Sequence, residues 1–176
     1  MVNVSSPNTP GLTSLQSPEA LDSLLAALDE ARRRPEGGTP KPLLVKLSAD
    51  LSASEIDEAA AVCRSRGVDG AIAVNTSLDP ALRSDEAREL EGGLSGRPIF
   101  GRALDAVERL RASAPPDFLI VGAGGVFGPD DALHLLNEGA DAVQVYTGLV
   151  YRGPGLLTEI RRGLAEAGWS PREGLA

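Results

Sequence analysis

Five short apolar runs recur along the chain, and each gives way at its carboxyl end to amides, hydroxyls or glycines and then to a segment of helical spacing. Strand followed by helix, repeated, points to a parallel sheet with helical crossovers, because parallel neighbours need a long connection. The runs fall at 2–4, 42–47, 71–74, 118–121 and 142–147. The run at 42–47 is apolar on both faces, as parallel strands covered by helices are.

The helices between them are marked by their ends. Ser17-Pro18 sets an N-cap oxygen before a first-position proline, and Leu21, Leu24, Leu25 and Leu28 then form one stripe that leaves Asp22, Asp29 and Glu30 outside it. Arg32-Arg33-Arg34 suits the negative pole of that helix and reads as a solvated basic end, followed by a turn-rich connector at 35–40. Ser52 and Glu55 make a capping box ahead of Ile56, Ala59, Ala60 and Cys63, with Gly67 as the stop. A third helix is predicted over 99–112 on Ala103, Leu104, Val107 and Leu110. A fourth opens at Pro129, carries Ala132, Leu133 and Leu136, and closes at Gly139. Gly153-Pro154-Gly155 starts the last, on Leu156, Leu157, Ile160 and Leu164. The closed form that fits is the later part of a (β/α)8 barrel, with an open doubly wound sheet as the rival.

With 176 residues, 42% of them hydrophobic, the chain can bury one core, so one domain is expected. A net charge of −8 and only 3% aromatic residues argue against a nucleic-acid surface, which needs basic patches and stacking rings. Cys63 has no second cysteine to pair with and reads as a small core residue rather than a catalytic thiol. No run approaches the ~18 apolar residues of a membrane span, so the chain alone is expected to be soluble. Met1 is followed at once by the end of a strand, which predicts a fragment, or a truncated reading frame, of something about twice as long.

In parallel α/β folds ligands sit outside the carboxyl ends of the strands. Asn3, Ser6, Asn8 and Thr9 lie there on a stretch stiffened by Pro7 and Pro10. Such residues suit recognition of a flat polar ring; a self-capping turn is the alternative. Lys46, alone in an apolar strand, requires either a structural ion pair or a ligand anion or electron-rich ring. Asn75-Thr76-Ser77 repeats the opening plan. Residues 78–97 have no sustained period and read as a long mobile loop ending in Gly92-Gly93-Leu94-Ser95-Gly96-Arg97-Pro98. Gly122-Ala123-Gly124-Gly125 followed by a helix at Pro129 has the form of a phosphate cradle. Tyr146-Thr147 closes the fifth run, and His134 reads as a helix-surface or partly buried residue rather than a base.

These motifs resemble, in order and approximate spacing, those of the dihydroorotate dehydrogenase family. They are the decapeptide from Asn3 to Leu12, Val45-Lys46-Leu47, Asn75-Thr76, Gly92-Gly93-Leu94-Ser95-Gly96 and Gly122-Ala123-Gly124-Gly125. The likeness is to the quinone-dependent class 2 branch, which carries serine where class 1 carries cysteine, and Ser6 holds that position. It covers nearly the whole chain but only the carboxyl-terminal half of the family's barrel, so residues 1–176 would be roughly the last five βα units of one FMN-binding (β/α)8 domain. The resemblance implies that FMN takes a hydride from C6 of (S)-dihydroorotate while a base removes the C5 proton, giving orotate in pyrimidine (UMP) synthesis with quinone as acceptor. Ser6 would be the base and Thr9 its relay. Asn3, Asn8, Asn75 and Thr76 would hold the pyrimidine. Lys46 would lie near the flavin ring, with Asn3, Val74, Gly96, Gly124, Gly125, Tyr146 and Thr147 as further FMN contacts, the last three residues around its phosphate. No metal is implied.

Val74 stands where the family has threonine, so any flavin contact there would be through the backbone, and Ala123 replaces a common valine. The first strands are absent, as is the amino-terminal segment by which class 2 enzymes contact the cytoplasmic side of the membrane; without them the barrel is expected to stay open, with exposed sheet edges. Two rivals remain. One is another FMN barrel acting on pyrimidines, which would more naturally carry cysteine at position 6. The other is a half-barrel that binds phosphate or FMN weakly, or pairs with a partner, without catalysis.

Overall fold

The computed structural model describes residues 1–33 and 41–172. Five strands, β1 (Val2–Asn3), β2 (Leu44–Leu47), β3 (Gly70–Ala73), β4 (Leu119–Ala123) and β5 (Ala142–Gln144), form one parallel sheet in the order β1-β2-β3-β4-β5. The helices are α1 (Pro18–Arg33), α2 (Ala53–Ser65), α3 (Phe100–Ser113), α4 (Pro129–Asn137), α5 (Thr147–Arg152) and α6 (Gly155–Glu166). Each packs on the next along the layer, α1 on α2, α2 on α3, α3 on α4, and α4 on α6. A doubly wound sheet reverses its strand order and carries helices on both faces. Unbroken order under one helical layer is instead an arc of barrel wall.

Burial follows the pleat. Val45, Ala71 and Ile120, in register across three strands, are at most 1% exposed and lie under the helices. Asn3, Lys46, Ile72 and Val121 share the opposite face, where Lys46 is half-buried and Asn3 exposed. Among the described residues the helical cover is therefore on one face, and the run expected to be apolar on both faces is fully buried on that face only, at Val45 and Leu47. Leu21 and Leu25 of α1, Leu110 of α3, Leu135 of α4 and Leu156 of α6 are fully buried, each contributing about 1.5–3 kcal/mol relative to an exposed side chain. Cys63 is among them at 1% exposure, and burial pushes its thiol up to about 12.

Ion pairs close the amino ends of the strands. Arg32 is not a solvated basic end: it pairs with Asp29 and Asp69 at 2.9 Å and donates to the Gly67 carbonyl at 2.8 Å. Arg111 pairs with the buried Asp141 at 2.8 Å, and the same carboxylate accepts from Ile120 N. The side chain of Arg33, all of Arg34 and the connector at 35–40 lie outside the described residues. In α4 the buried stripe is Ala132, Leu135 and Leu136, while Leu133 is only partly covered. The run at 142–147 is strand only to Gln144, and Thr147 already opens α5. Among the described residues no helix is long and apolar enough to cross a membrane.

Candidate active site

The carboxyl ends of β1 and β3 are joined by side-chain amides. Asn3 Oδ1 accepts from Ser5 N at 3.2 Å, from Ser5 Oγ at 2.9 Å and from Asn75 Nδ2 at 3.3 Å. Asn75 Nδ2 also donates to Ser5 Oγ at 3.1 Å, and Asn75 Oδ1 accepts from Thr76 N at 2.9 Å. Ser5 is fully buried at the centre of this network, yet it is not among the residues singled out from sequence. The signal for it is local, since an asparagine oxygen accepting from the N–H two residues on is an Asx-turn. Ser6 is half-buried, whereas Asn8 and Thr9 are exposed. Among the described residues no hydrogen bond joins the Ser6 and Thr9 hydroxyls; the Thr9 carbonyl accepts from Leu12 N at 3.1 Å.

Lys46 lies between these two strand ends, in register with Asn3 on one side and Ile72 on the other. Among the described residues it makes no ion pair or hydrogen bond, and burial lowers its pKa from 10.5. A half-buried ammonium without a protein counter-charge is costly, which favours the ligand reading over the structural pair. Lys46 lines a cavity of about 220 Å³ together with Val74, Asn75 and Thr76. Gly96, Gly124, Gly125, Tyr146 and Thr147 line it as well. Nine of the residues expected to bind ligand thus meet in one place, with Asn3 joined to them through Asn75. Ser6, Asn8 and Thr9 are not in its wall. A larger cavity of about 400 Å³ is lined by α2, α3 and, from the segment after β2, Ser48, Ala49 and Leu51.

Backbone shape explains the glycines. Gly125 has φ +73°, and a Cβ there would sit 2.5 Å from Phe100 Cβ. Gly96 has φ +86°, with the Thr147 methyl 3.1 Å from where a Cβ would be. The peptide between Ala73 and Val74 is cis. Val74 N donates to the Ala123 carbonyl at 2.6 Å, so of its backbone only the carbonyl remains for a ligand. Residues 78–97, expected to form a long loop without sustained period, contain local structure. They hold single 3-10 turns at Pro80–Leu82, Asp85–Ala87 and Arg97–Ile99, and Ser77 and Leu94 exchange backbone hydrogen bonds at 3.0 and 2.7 Å. Arg83 donates to the carbonyls of Ala87, Leu90 and Gly92. Ser77, fully buried, also donates to Asp50, which accepts from Leu78 N at 2.7 Å.

The first turn of α4, expected to complete a phosphate cradle at Pro129, carries no side-chain cap hydrogen bond. Asp131, in the first turn of α4, accepts from Phe127 N at 2.8 Å and pairs with Arg97. The glycine turn shares its cavity with the Tyr146-Thr147 step, where Thr147 Oγ1 donates to Ser95 Oγ at 2.9 Å. Tyr146 lines the cavity and is 79% exposed. His134 is exposed on α4, away from these groups.

Comparison with known proteins bears on the whole arrangement. A family model described as dihydroorotate dehydrogenase matches residues 1–167. A protein of Albidiferax ferrireducens named dihydroorotate dehydrogenase (quinone) is 46% identical over 161 residues, which is 90% of this chain and 45% of that protein. One of the same name from Brucella anthropi is 45% identical over 170 residues, 94% of this chain and 46% of its own length. The ligand-free structure of DHODH from Eimeria tenella superposes with a TM-score of 0.86 at 32% identity, covering 96% of this chain and 52% of that one. The structure of the Eimeria tenella enzyme in complex with ferulenol gives 0.84 at 31% identity, over 94% and 50% of the two chains. The chain therefore spans about half the length of the relatives it matches. With strand order, glycine turns and family match in agreement, the chain belongs to the dihydroorotate dehydrogenase family.

Proposed function

We propose that residues 1–176 are the carboxyl-terminal part of a single FMN-binding barrel domain that oxidises (S)-dihydroorotate to orotate with quinone as acceptor, in pyrimidine (UMP) synthesis. The observation that carries the reading is Lys46, a half-buried cation without a partner among the described residues, in one cavity with Asn75, Thr76 and the glycine turns. Names of the relatives support the substrate and the acceptor. A glycine cradle that side chains would fill, beside a lone cation, fits a phosphorylated electron-rich cofactor.

Bound FMN supplies the two-electron acceptor for the oxidation. In this reading Gly96, Gly124 and Gly125 admit it closely, and Gly125, Tyr146 and Thr147 hold its phosphate, largely through backbone N–H groups. The Val74 carbonyl is the backbone group free to meet it. Lys46 favours its electron-rich form. Asn3, Asn8, Asn75 and Thr76 orient the pyrimidine; because Asn3 Oδ1 is committed to Ser5 and Asn75, the Asn3 amide nitrogen is the donor left for a ring carbonyl. Ser6 removes the C5 proton and passes it toward Thr9. A hydroxyl is a weak base in water, so this requires closure over the ring, and catalytic hydrogen bonds commonly tighten only then. Peripheral membrane contact belongs, in this reading, to residues outside this chain.

The test is dihydroorotate-dependent dye reduction with added FMN, on the chain alone and on the chain joined to the amino-terminal half of the Brucella anthropi relative. Turnover by the joined protein that falls at least about 100-fold in Ser6→Ala supports the reading. FMN bound without any oxidation of dihydroorotate overturns it. One observation favours a second reading, pairing with a partner without catalysis: Tyr146, Val150 and Tyr151 are 69–79% exposed near the β5 edge. Stable association with a separately made amino-terminal half, with no turnover, would favour that reading.

A further inference from the structure

We propose that Asp131 is a positioning residue. It fixes the spacing between the glycine loop at 92–97 and the turn after β4, and so shapes the end of the cavity that takes the FMN phosphate. This rests on the assignment of Gly125, Tyr146 and Thr147 to that phosphate.

Both oxygens of the Asp131 carboxylate are committed, and to different segments. Oδ1 pairs with Arg97, which directly follows Gly96. Oδ2 accepts from Phe127 N at 2.8 Å, two residues beyond Gly125. The Asp131 side chain is 12% exposed, whereas that of Arg97 is 57% exposed. The ion pair is thus partly screened, and the bond to Phe127 N is the better protected half. Phe127 is held at three points. Asp131 takes its N–H, Arg152 at the end of α5 donates to its carbonyl, and the Arg97 guanidinium lies 5.1 Å from its ring centroid. On the cavity side, a Cβ at Gly96 would lie 3.8 Å from the Phe127 ring and 3.1 Å from the Thr147 methyl. The glycine loop, the β4 turn and α5 therefore meet around Phe127, and one carboxylate joins the first two.

FMN and riboflavin differ only in the phosphate, so their affinity ratio isolates this end of the site. Flavin fluorescence titrations with both, on the chain and on the joined protein, would be run for the unmodified sequence and for Asp131→Ala, Asp131→Asn and Arg97→Gln, beside thermal melts without flavin. Asp131→Ala is expected to weaken FMN about tenfold or more and riboflavin less than about twofold. Asp131→Asn keeps an acceptor for Phe127 N and is expected to recover most of the FMN affinity. Equal weakening of both flavins, or an unchanged ratio in Asp131→Ala, overturns the proposal alone. Failure of the unmodified joined protein to bind FMN removes the cavity assignment and the proposal with it. If Asp131→Ala does not fold, Arg97→Gln decides: a lowered FMN preference supports the proposal and an unchanged one overturns it.

Discussion

Gly93→Ala is the substitution whose consequence can be worked most directly from the structure. A Cβ at position 93 would lie 2.0 Å from Thr76 Oγ1, 2.6 Å from Thr76 Cβ and 2.7 Å from Pro7 Cγ. Rotation of Thr76 relieves the first contact. It cannot relieve the second, one bond from the backbone, nor the third, on a closed ring. Restoring ordinary contact at 3.4 Å with Thr76 Cβ requires a shift of about 0.8 Å. The loop cannot move freely, because Leu94 is paired with Ser77 at 2.7 and 3.0 Å. Overpacking of this kind costs about 1–3 kcal/mol, which for a domain of this size lowers Tm by roughly 2–10 °C. The shift pulls the loop away from Thr76 and the opening loop together, so orotate affinity should fall about fivefold to a hundredfold. Calorimetric titration of orotate into the FMN-loaded joined protein, with a thermal melt, measures both. The control is Gly101→Ala, in α3 with nothing within 4 Å of the new methyl, where about 0.5–1 kcal/mol of stabilisation is expected. Unchanged orotate affinity and Tm in Gly93→Ala would refute the steric reasoning.

Lys46→Met should stabilise the flavin-free fold at neutral pH while weakening FMN binding. Burial holds the folded pKa of Lys46 below 10.5, so the unfolded chain binds its proton more tightly and stability climbs as pH rises toward 10.5. Urea melts across that alkaline window should show the climb in the unmodified chain and lose Lys46's share of it in the variant. Cys63, with its thiol pushed up to about 12, should resist maleimide in the native state at mildly alkaline pH and label fully in urea; rapid native labelling would contradict the packing. Ser52→Ala removes the capping box with Glu55 at the start of α2 and should cost about 1 kcal/mol in a melt, with flavin affinity unchanged.

What could be read from the sequence was what neighbouring residues decide. The Ser52 capping box, the stop at Gly67 with φ +62° and the leucine stripe of α1 are local, and all formed. The grouping of Lys46, Asn75, Thr76 and the glycines was legible because a parallel sheet brings successive strand ends to one rim. What escaped depends on short elements or distant partners. α5 is six residues long and includes Thr147, Val150 and Tyr151, residue types that favour strands, so no helical period could declare it. The face expected for α4 takes in Leu133 and omits Leu135, whereas Ala132, Leu135 and Leu136 form the buried i, i+3, i+4 stripe. Arg32 resembled a solvated end because its partners Asp69 and Gly67 lie 37 and 35 residues away. Asp131 goes unremarked in the sequence because its partner Arg97 is 34 residues away and only the fold brings the two together.

The central claim is that Ser6 removes a proton from dihydroorotate beside a flavin held by the glycine turns. Anaerobic mixing of the FMN-loaded joined protein with dihydroorotate, followed at the flavin absorbance, tests it most directly. The account predicts rapid bleaching in the unmodified protein and slow bleaching in Ser6→Ala, with FMN and orotate affinities retained. Equal bleaching rates in the two, or no bleaching of a fully loaded unmodified protein, would contradict it.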